Sequence, residues 1–305
     1  MSISQQSLFI PYHTGHLHLR QIMPFDKSKH PIPILMLHGA ISNGRIFYSE
    51  SNKGLASYLA SQGFIVYVMD IEGRGKSIPR LGAGSHLGQG EVIREQLPLV
   101  QQYILTQHPE ISQVHWCAHS WGGVLMASAI VRYDYFQRNV ASLVTFGSKR
   151  KVYINSLKKW LVIKFGWGYL ARFIAWRKGY FPADKWRVGM DNESESSLKQ
   201  SIQWVNGDWI DTDDGFDYAK AAKKTQWPKT WFIAGNGDKV LGHPEDVKNM
   251  IEECQFQDLQ YTLLSKKEGF KHDYDHAGML IHQDITKEFF PSVSDWYLHF
   301  YDLCK

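Results

Sequence analysis

The sequence predicts an α/β protein: a mostly parallel central sheet flanked by helices, interrupted by a largely helical insertion at about residues 149–224. Three observations carry this. Continuous apolar strand-like runs alternate with stretches of helical period, the pattern of a parallel sheet covered on both faces. The alternation stops near residue 149 and resumes at Pro228. At 305 residues the chain exceeds the commonest domain size, so one core (1–148 and 225–305) carrying an insertion is the economical arrangement.

Taken in order, Leu8-Phe9-Ile10-Pro11 and Leu17-His18-Leu19-Arg20 flank a turn containing Thr14-Gly15 and read as a hairpin. Ile32 to Leu37 is an apolar strand running into His38-Gly39-Ala40, and Phe64 to Met69 is another ending at Asp70. Between them Leu55, Leu59 and Ala60 recur at helical spacing, and residues 92–106 carry a second helical pattern through Val92, Leu97, Val100 and Ile104. Val114 to Cys117 leads into Ala118-His119-Ser120-Trp121-Gly122-Gly123 and then a helix-like run, Val124 to Ile130. Ala141 to Gly147 and Pro228 to Gly235 read as further strands. Ligands of such sheets gather at the carboxyl ends of the strands, where Ala40, Asp70 and Ser120 all fall.

Composition narrows the class. Apolar content of 44% with 11 Trp, 15 Tyr and 16 Phe supplies a core and excludes a disordered chain. A formal charge of +4 gives no footprint for nucleic acid, and none is expected as a partner. The first residues lack a basic and apolar leader, and no uncharged apolar run approaches the roughly 18 residues of a membrane span. Cys117, Cys254 and Cys304 form a sparse, odd set without metal-like spacing, which fits reduced thiols. The expectation is a cytoplasmic protein.

The segment at 118–123 has the strand, sharp turn, helix context of a nucleophile elbow, in which a serine is raised on a strained turn with its hydroxyl free to attack. Ala118 stands where the usual G-x-S-x-G string has Gly, a small residue for a small one. A serine nucleophile needs a base and an orienting acid. Asp238, at the end of the strand closing in Gly235-Asn236-Gly237, is the candidate acid. His276, just before the apolar run Ala277 to Leu280, is the candidate base, with His272 the alternative and His282 also in reach. Backbone N–H groups of Ala40 and Trp121 are placed to stabilise an oxyanion. The set His272, Asp273, Asp275 and His276 lacks a recognisable ligand spacing, so neither a metal nor a cofactor is expected.

With these pieces in order the chain resembles the α/β-hydrolase superfamily, in particular its capped lipase and esterase branch related to monoacylglycerol and acid lipases. The resemblance rests on His38-Gly39-Ala40, the D-x-x-G-x-G-x-S turn from Asp70 to Ser77, residues 118–123, Asp238 and His276 in family order. It implies a serine hydrolase cleaving a carboxylic ester through Ser120, His276 and Asp238, with an acyl-enzyme intermediate. Thioester, amide or peptide and C–C bond hydrolysis stay open, as does a noncatalytic ligand-binding protein on the same fold.

Substrate choice is expected to lie in the insertion. Residues 149–190 hold eleven Lys or Arg against the single acid Asp184, and residues 191–219 hold eight Asp or Glu against Lys199. Trp160, Phe165, Trp167, Phe173 and Trp176 recur so that one helix carries a broad apolar stripe, with Lys158, Lys159, Lys164, Arg172, Arg177 and Lys178 around it. Two roles are open for this stripe. It either packs on the core with its basic residues solvated, or forms a lid over an acyl pocket, lined by Trp160, Trp167 and Trp176, that touches lipid surfaces. Either role predicts a small-molecule ester with a medium or long acyl chain; oligomeric state is left open.

Overall fold

A computed structural model describes residues 2–25, 30, 32–153 and 156–302. Ten strands are present among them: β1 (Ile3–Tyr12), β2 (Gly15–Pro24), β3 (Ile34–Leu37), β4 (Val66–Asp70), β5 (Val114–His119), β6 (Val140–Phe146), β7 (Tyr180–Phe181), β8 (Glu193–Ser194), β9 (Lys229–Gly235) and β10 (Leu259–Leu264). Eight of them form one sheet in the order β1-β2-β4-β3-β5-β6-β9-β10. The β1–β2 hairpin pairs antiparallel and joins β4 antiparallel, whereas β4, β3, β5, β6, β9 and β10 run parallel. Their carboxyl ends therefore share one edge.

The apolar runs are continuous because both faces are covered, and alternate residues serve opposite faces. Leu35, Leu37, Tyr67 and Met69 join one core with the helices Leu97–Gln107 and Trp121–Arg132. Ile34, Met36, Val66 and Val68 join the other, with Leu55–Ser61 and Phe290–Asp302. Strand β10 has no counterpart in the sequence reading. Its exposed, polar-interrupted residues mark an edge strand whose signal is weak.

The residues between β6 and β9 add no strand to this sheet among those described. Their regular structure is helical apart from the two-residue pair β7–β8. The acidic half is tied to the core by ion pairs and buried indoles. Arg94 reaches Asp211 at 2.5 Å and also Asp213, Arg132 reaches Asp211 at 3.2 Å, and Trp204 and Trp209 are buried. The Trp209 indole N–H donates to Ser128 Oγ at 3.0 Å. The basic half is anchored at its start, where buried Arg150 pairs with Glu253, but leaves many aromatics exposed.

Residues 157–178 form one helical run whose middle, Trp160–Ala171, is π-helical. Its small residues Ala171 and Ala175 are buried, while Trp160, Phe165, Phe173 and Trp176 are 49%, 51%, 58% and 65% exposed. Lys159, expected in solvent, is instead buried and ion-paired with buried Asp246. No helix among the described residues is long and apolar enough to cross a membrane. Cys117 and Cys254 are free and buried, and Cys304 lies outside the described residues.

Candidate active site

The segments after six parallel strands converge on the shared carboxyl edge. β5 ends at His119, and Ser120 follows with φ 53° and ψ −124° before the helix Trp121–Arg132 begins. A non-glycine residue pays about 1–3 kcal/mol for such a backbone, and strain of this kind concentrates at functional sites. The neighbours show why small residues flank it. A Cβ on Gly122 would lie 2.5 Å from the His38 carbonyl oxygen, and one on Gly39 would lie 2.8 Å from Ser120 Cβ. The Ser120 N–H donates to the Phe146 carbonyl at 2.8 Å, which locks the turn to the end of β6.

The candidate base arrives at the same place. The imidazole of His276 lies against Gly147, where an added Cβ would sit 3.0 Å from Nδ1. His276 Nδ1 is 2.5 Å from Asp238 Oδ2, and Asp238 Oδ1 accepts from the Leu241 N–H at 2.9 Å. His272 pairs elsewhere: its Nε2 is 2.8 Å from Asp284 Oδ2, and the Asp284 N–H donates to His282 Nδ1 at 3.2 Å. Of the three histidines, His276 is therefore the one joined to Asp238. The Ser120 hydroxyl makes no hydrogen bond among the described residues. In unliganded sites such bonds are often long and tighten with substrate.

The candidate oxyanion positions, Ala40 and Trp121, are held by the core. Neither the Ala40 nor the Trp121 N–H is taken by another group among the described residues. Buried Asp70 ties down the loop after Ala40, accepting from Gly44 N–H at 2.7 Å, from Lys76 N–H at 3.0 Å and bonding His18 Nδ1 at 2.7 Å. The residues before β8 clamp the same loop from outside. Met190 N–H donates to the Ile41 carbonyl at 2.8 Å, and Asp191 Oδ2 accepts from Asn43 Nδ2 at 2.7 Å and Gly75 N–H at 2.8 Å.

A residue that sequence reasoning passed over sits behind the base. His119, buried, has its Nε2 3.0 Å from the His276 carbonyl oxygen, with the two rings 4.7 Å apart. Because a carbonyl only accepts, Nε2 carries the proton. Burial, with the His276 ring next in effect, pushes the His119 imidazole down to about 3, and burial pushes His115 to the same value. Burial also lowers His38, against the opposing charge of Asp70. For Asp70 and Asp238 burial is the largest influence and raises the carboxyl. The paired histidines and backbone N–H groups outweigh it, leaving both below the ordinary value.

These shifts share one sign. The unfolded chain protonates its histidines near about 6.5, while the folded chain keeps His115 and His119 neutral. Below that pH the unfolded state binds more protons, and stability falls by up to about 1.4 kcal/mol per pH unit for each of the two. The depressed carboxyls add their loss below about pH 4, as pH falls through their folded values. The expected result is a melting temperature that declines steadily from pH 7 to pH 4. A flat melting curve down to pH 4.5 would refute it.

Of the aromatics expected to line an acyl pocket, Trp160 and Trp176 are exposed, and Trp167 is half-buried against Phe181 with its indole N–H 3.3 Å from Ser201 Oγ. None of the three borders the cavity beside Ala40 and Trp121. The residues of the 149–224 segment that do are Glu193 and Ser197. That cavity, about 10 Å³, is also bounded by Arg74, Gln89, Val92 and Leu125.

Residues 28–274 match the profile of the family described as serine aminopeptidase, S33. No curated protein matches the chain. Among solved structures, a soluble variant of monoglyceride lipase from Saccharomyces cerevisiae in complex with a substrate analog is 12% identical, with a TM-score of 0.71 over 97% of this chain and 96% of that one. Proline iminopeptidase of Mycobacterium smegmatis is 17% identical, with a TM-score of 0.59 over 98% and 100%. An esterase from Pyrococcus furiosus is 14% identical, with a TM-score of 0.59 over 97% and 92%. At these identities the likeness is one of fold.

Proposed function

This chain belongs to the serine aminopeptidase S33 family of α/β-hydrolases, and from that premise we propose that it hydrolyses carboxylic esters with Ser120 as nucleophile, His276 as general base and Asp238 as the acid that orients it. The observation that carries the reading is the set of three things at the carboxyl ends of the parallel strands: a strained Ser120 after β5, the pair of Asp238 after β9 with His276 after β10, and the two untaken amides of Ala40 after β3 and Trp121. In this reading His276 Nε2 takes the serine proton as Oγ adds to the ester carbonyl. The amides receive the oxyanion, the proton passes to the leaving alkoxide, and water then repeats the cycle on the acyl-enzyme. Labelling by a fluorophosphonate, blocked in Ser120→Ala, together with turnover of p-nitrophenyl esters tests it. A folded protein that neither labels nor turns over any ester would favour a ligand-binding role instead.

Residues 149–224 act in this reading as a cap, and the substrate is lipid-like. Support comes from the helical run 157–178, which leaves Trp160, Phe165, Phe173 and Trp176 in solvent beside exposed Lys164, Arg172, Arg177 and Lys178. Aromatic and basic side chains together favour a lipid–water interface. The expected result is salt-sensitive binding to anionic vesicles that weakens at least fivefold in a Trp160→Ala, Trp176→Ala double variant. Octanoyl esters should be cleaved faster than acetyl esters. Absence of vesicle binding at low salt removes the surface role, and equal kcat/KM for the two esters removes the acyl preference.

A further inference from the structure

The cavity beside the oxyanion amides holds a buried charge that triad chemistry does not use. Arg74, in the turn after β4, is 1% exposed and borders that cavity together with Ala40, Trp121, Gln89, Glu193 and Ser197. Its Nη2 donates to Glu193 in a buried ion pair, while Nε and Nη1 have no hydrogen-bond partner. The other polar groups nearby are engaged. Gln89 Oε1 accepts from the Trp121 indole N–H at 2.9 Å, and Gln89 Nε2 donates to Ser197 Oγ at 2.6 Å. A buried guanidinium with untaken N–H groups is costly unless something accepts from it.

We infer that Arg74 is a specificity-determining residue that recognises a single neutral oxygen, a hydroxyl, on the acyl part of the substrate close to the scissile carbonyl. This deepens the ester-hydrolase reading and rests on it. Three features select the group. The cavity of about 10 Å³ admits about one heavy atom, which excludes a carboxylate or phosphate. Glu193 already neutralises the guanidinium, so a second anion meets no net positive charge. The same cavity is bounded by Ala40 and Trp121, so an oxygen within it lies within a few bonds of the carbon that Ser120 attacks. A 3-hydroxyacyl ester meets all three. Its hydroxyl fills the cavity and accepts from Arg74, while the chain beyond lies outside it.

The test compares p-nitrophenyl 3-hydroxybutyrate with p-nitrophenyl butyrate in the unmodified protein and in Arg74→Lys. Lysine keeps a cation against Glu193, and so keeps the fold, but lacks the Nε and Nη1 donors. The expected result is a kcat/KM ratio of at least tenfold in favour of the hydroxy ester, carried mostly by KM, falling below threefold in Arg74→Lys. A ratio near one in the unmodified protein, or one that Arg74→Lys leaves unchanged, overturns the inference while leaving ester hydrolysis standing. A readout independent of turnover is binding of 3-hydroxybutyrate against butyrate to the Ser120→Ala protein by tryptophan fluorescence. Equal affinities there overturn the inference even if no ester is turned over, whereas tenfold tighter binding of the hydroxy acid that Arg74→Lys abolishes supports it.

Discussion

Ser120→Ala is expected to leave a folded protein whose ester turnover falls by about 10⁴-fold or more, since removing a nucleophile removes the covalent route altogether. The residual rate would come from the Ala40 and Trp121 amides and from binding. Stability should barely move. Alanine meets the same positive φ that serine already adopts, the Ser120 hydroxyl has no bond to lose, and the N–H that donates to Phe146 is retained. Steady-state kinetics beside a thermal melt check both halves. Turnover near the unmodified rate in a folded Ser120→Ala protein would end the covalent mechanism.

Asp238→Asn is expected to cost about 10³- to 10⁴-fold in kcat with little change in KM, because its effect is on the imidazole and not on the substrate. Asp238 accepts the His276 Nδ1 proton at 2.5 Å, which leaves Nε2 without one and able, in the proposed mechanism, to accept from Ser120. An asparagine amide turned to keep the Leu241 N–H on its oxygen offers N–H to Nδ1, and the ring then carries its proton on Nε2. In that tautomer it cannot accept from the serine. His272→Ala, whose ring bonds Asp284 instead, should lose far less. If His272→Ala were inactive and Asp238→Asn active, the base and its acid would both have to be reassigned.

The elements most legible in the sequence are those whose signal is local. The strands β3, β4, β5, β6 and β9 show as uninterrupted apolar runs because both faces of the sheet are covered. The turn at Ser120 shows as small residues around one serine because His38 and Gly39 press on it. Strand β10 was hidden, since an exposed edge needs no apolar run. The β7–β8 pair was hidden by its length of two residues per strand. His119 gave only a weak sign. A histidine before the serine reads as a strand residue until the fold sets it against the His276 carbonyl.

Sequence by itself determined the α/β class, and it marked Ser120, Asp238 and His276 as candidates, because periodicity and turn chemistry are written within a few consecutive residues. The apolar run after His276 put it first among the three histidines, but only the tertiary structure decided that it joins Asp238 while His272 is carried to Asp284, because that depends on where the loop after β10 is laid. It also decided that Trp204 and Trp209 are buried while Trp160 and Trp176 are left in solvent, although all four are tryptophans in one interrupted stretch. Arg74 and Glu193 stand 119 positions apart, and nothing local to either marks a buried pair beside the oxyanion amides. Burial and pairing of that kind depend on which surfaces the sheet brings together, and a side chain's charge or hydropathy does not specify them.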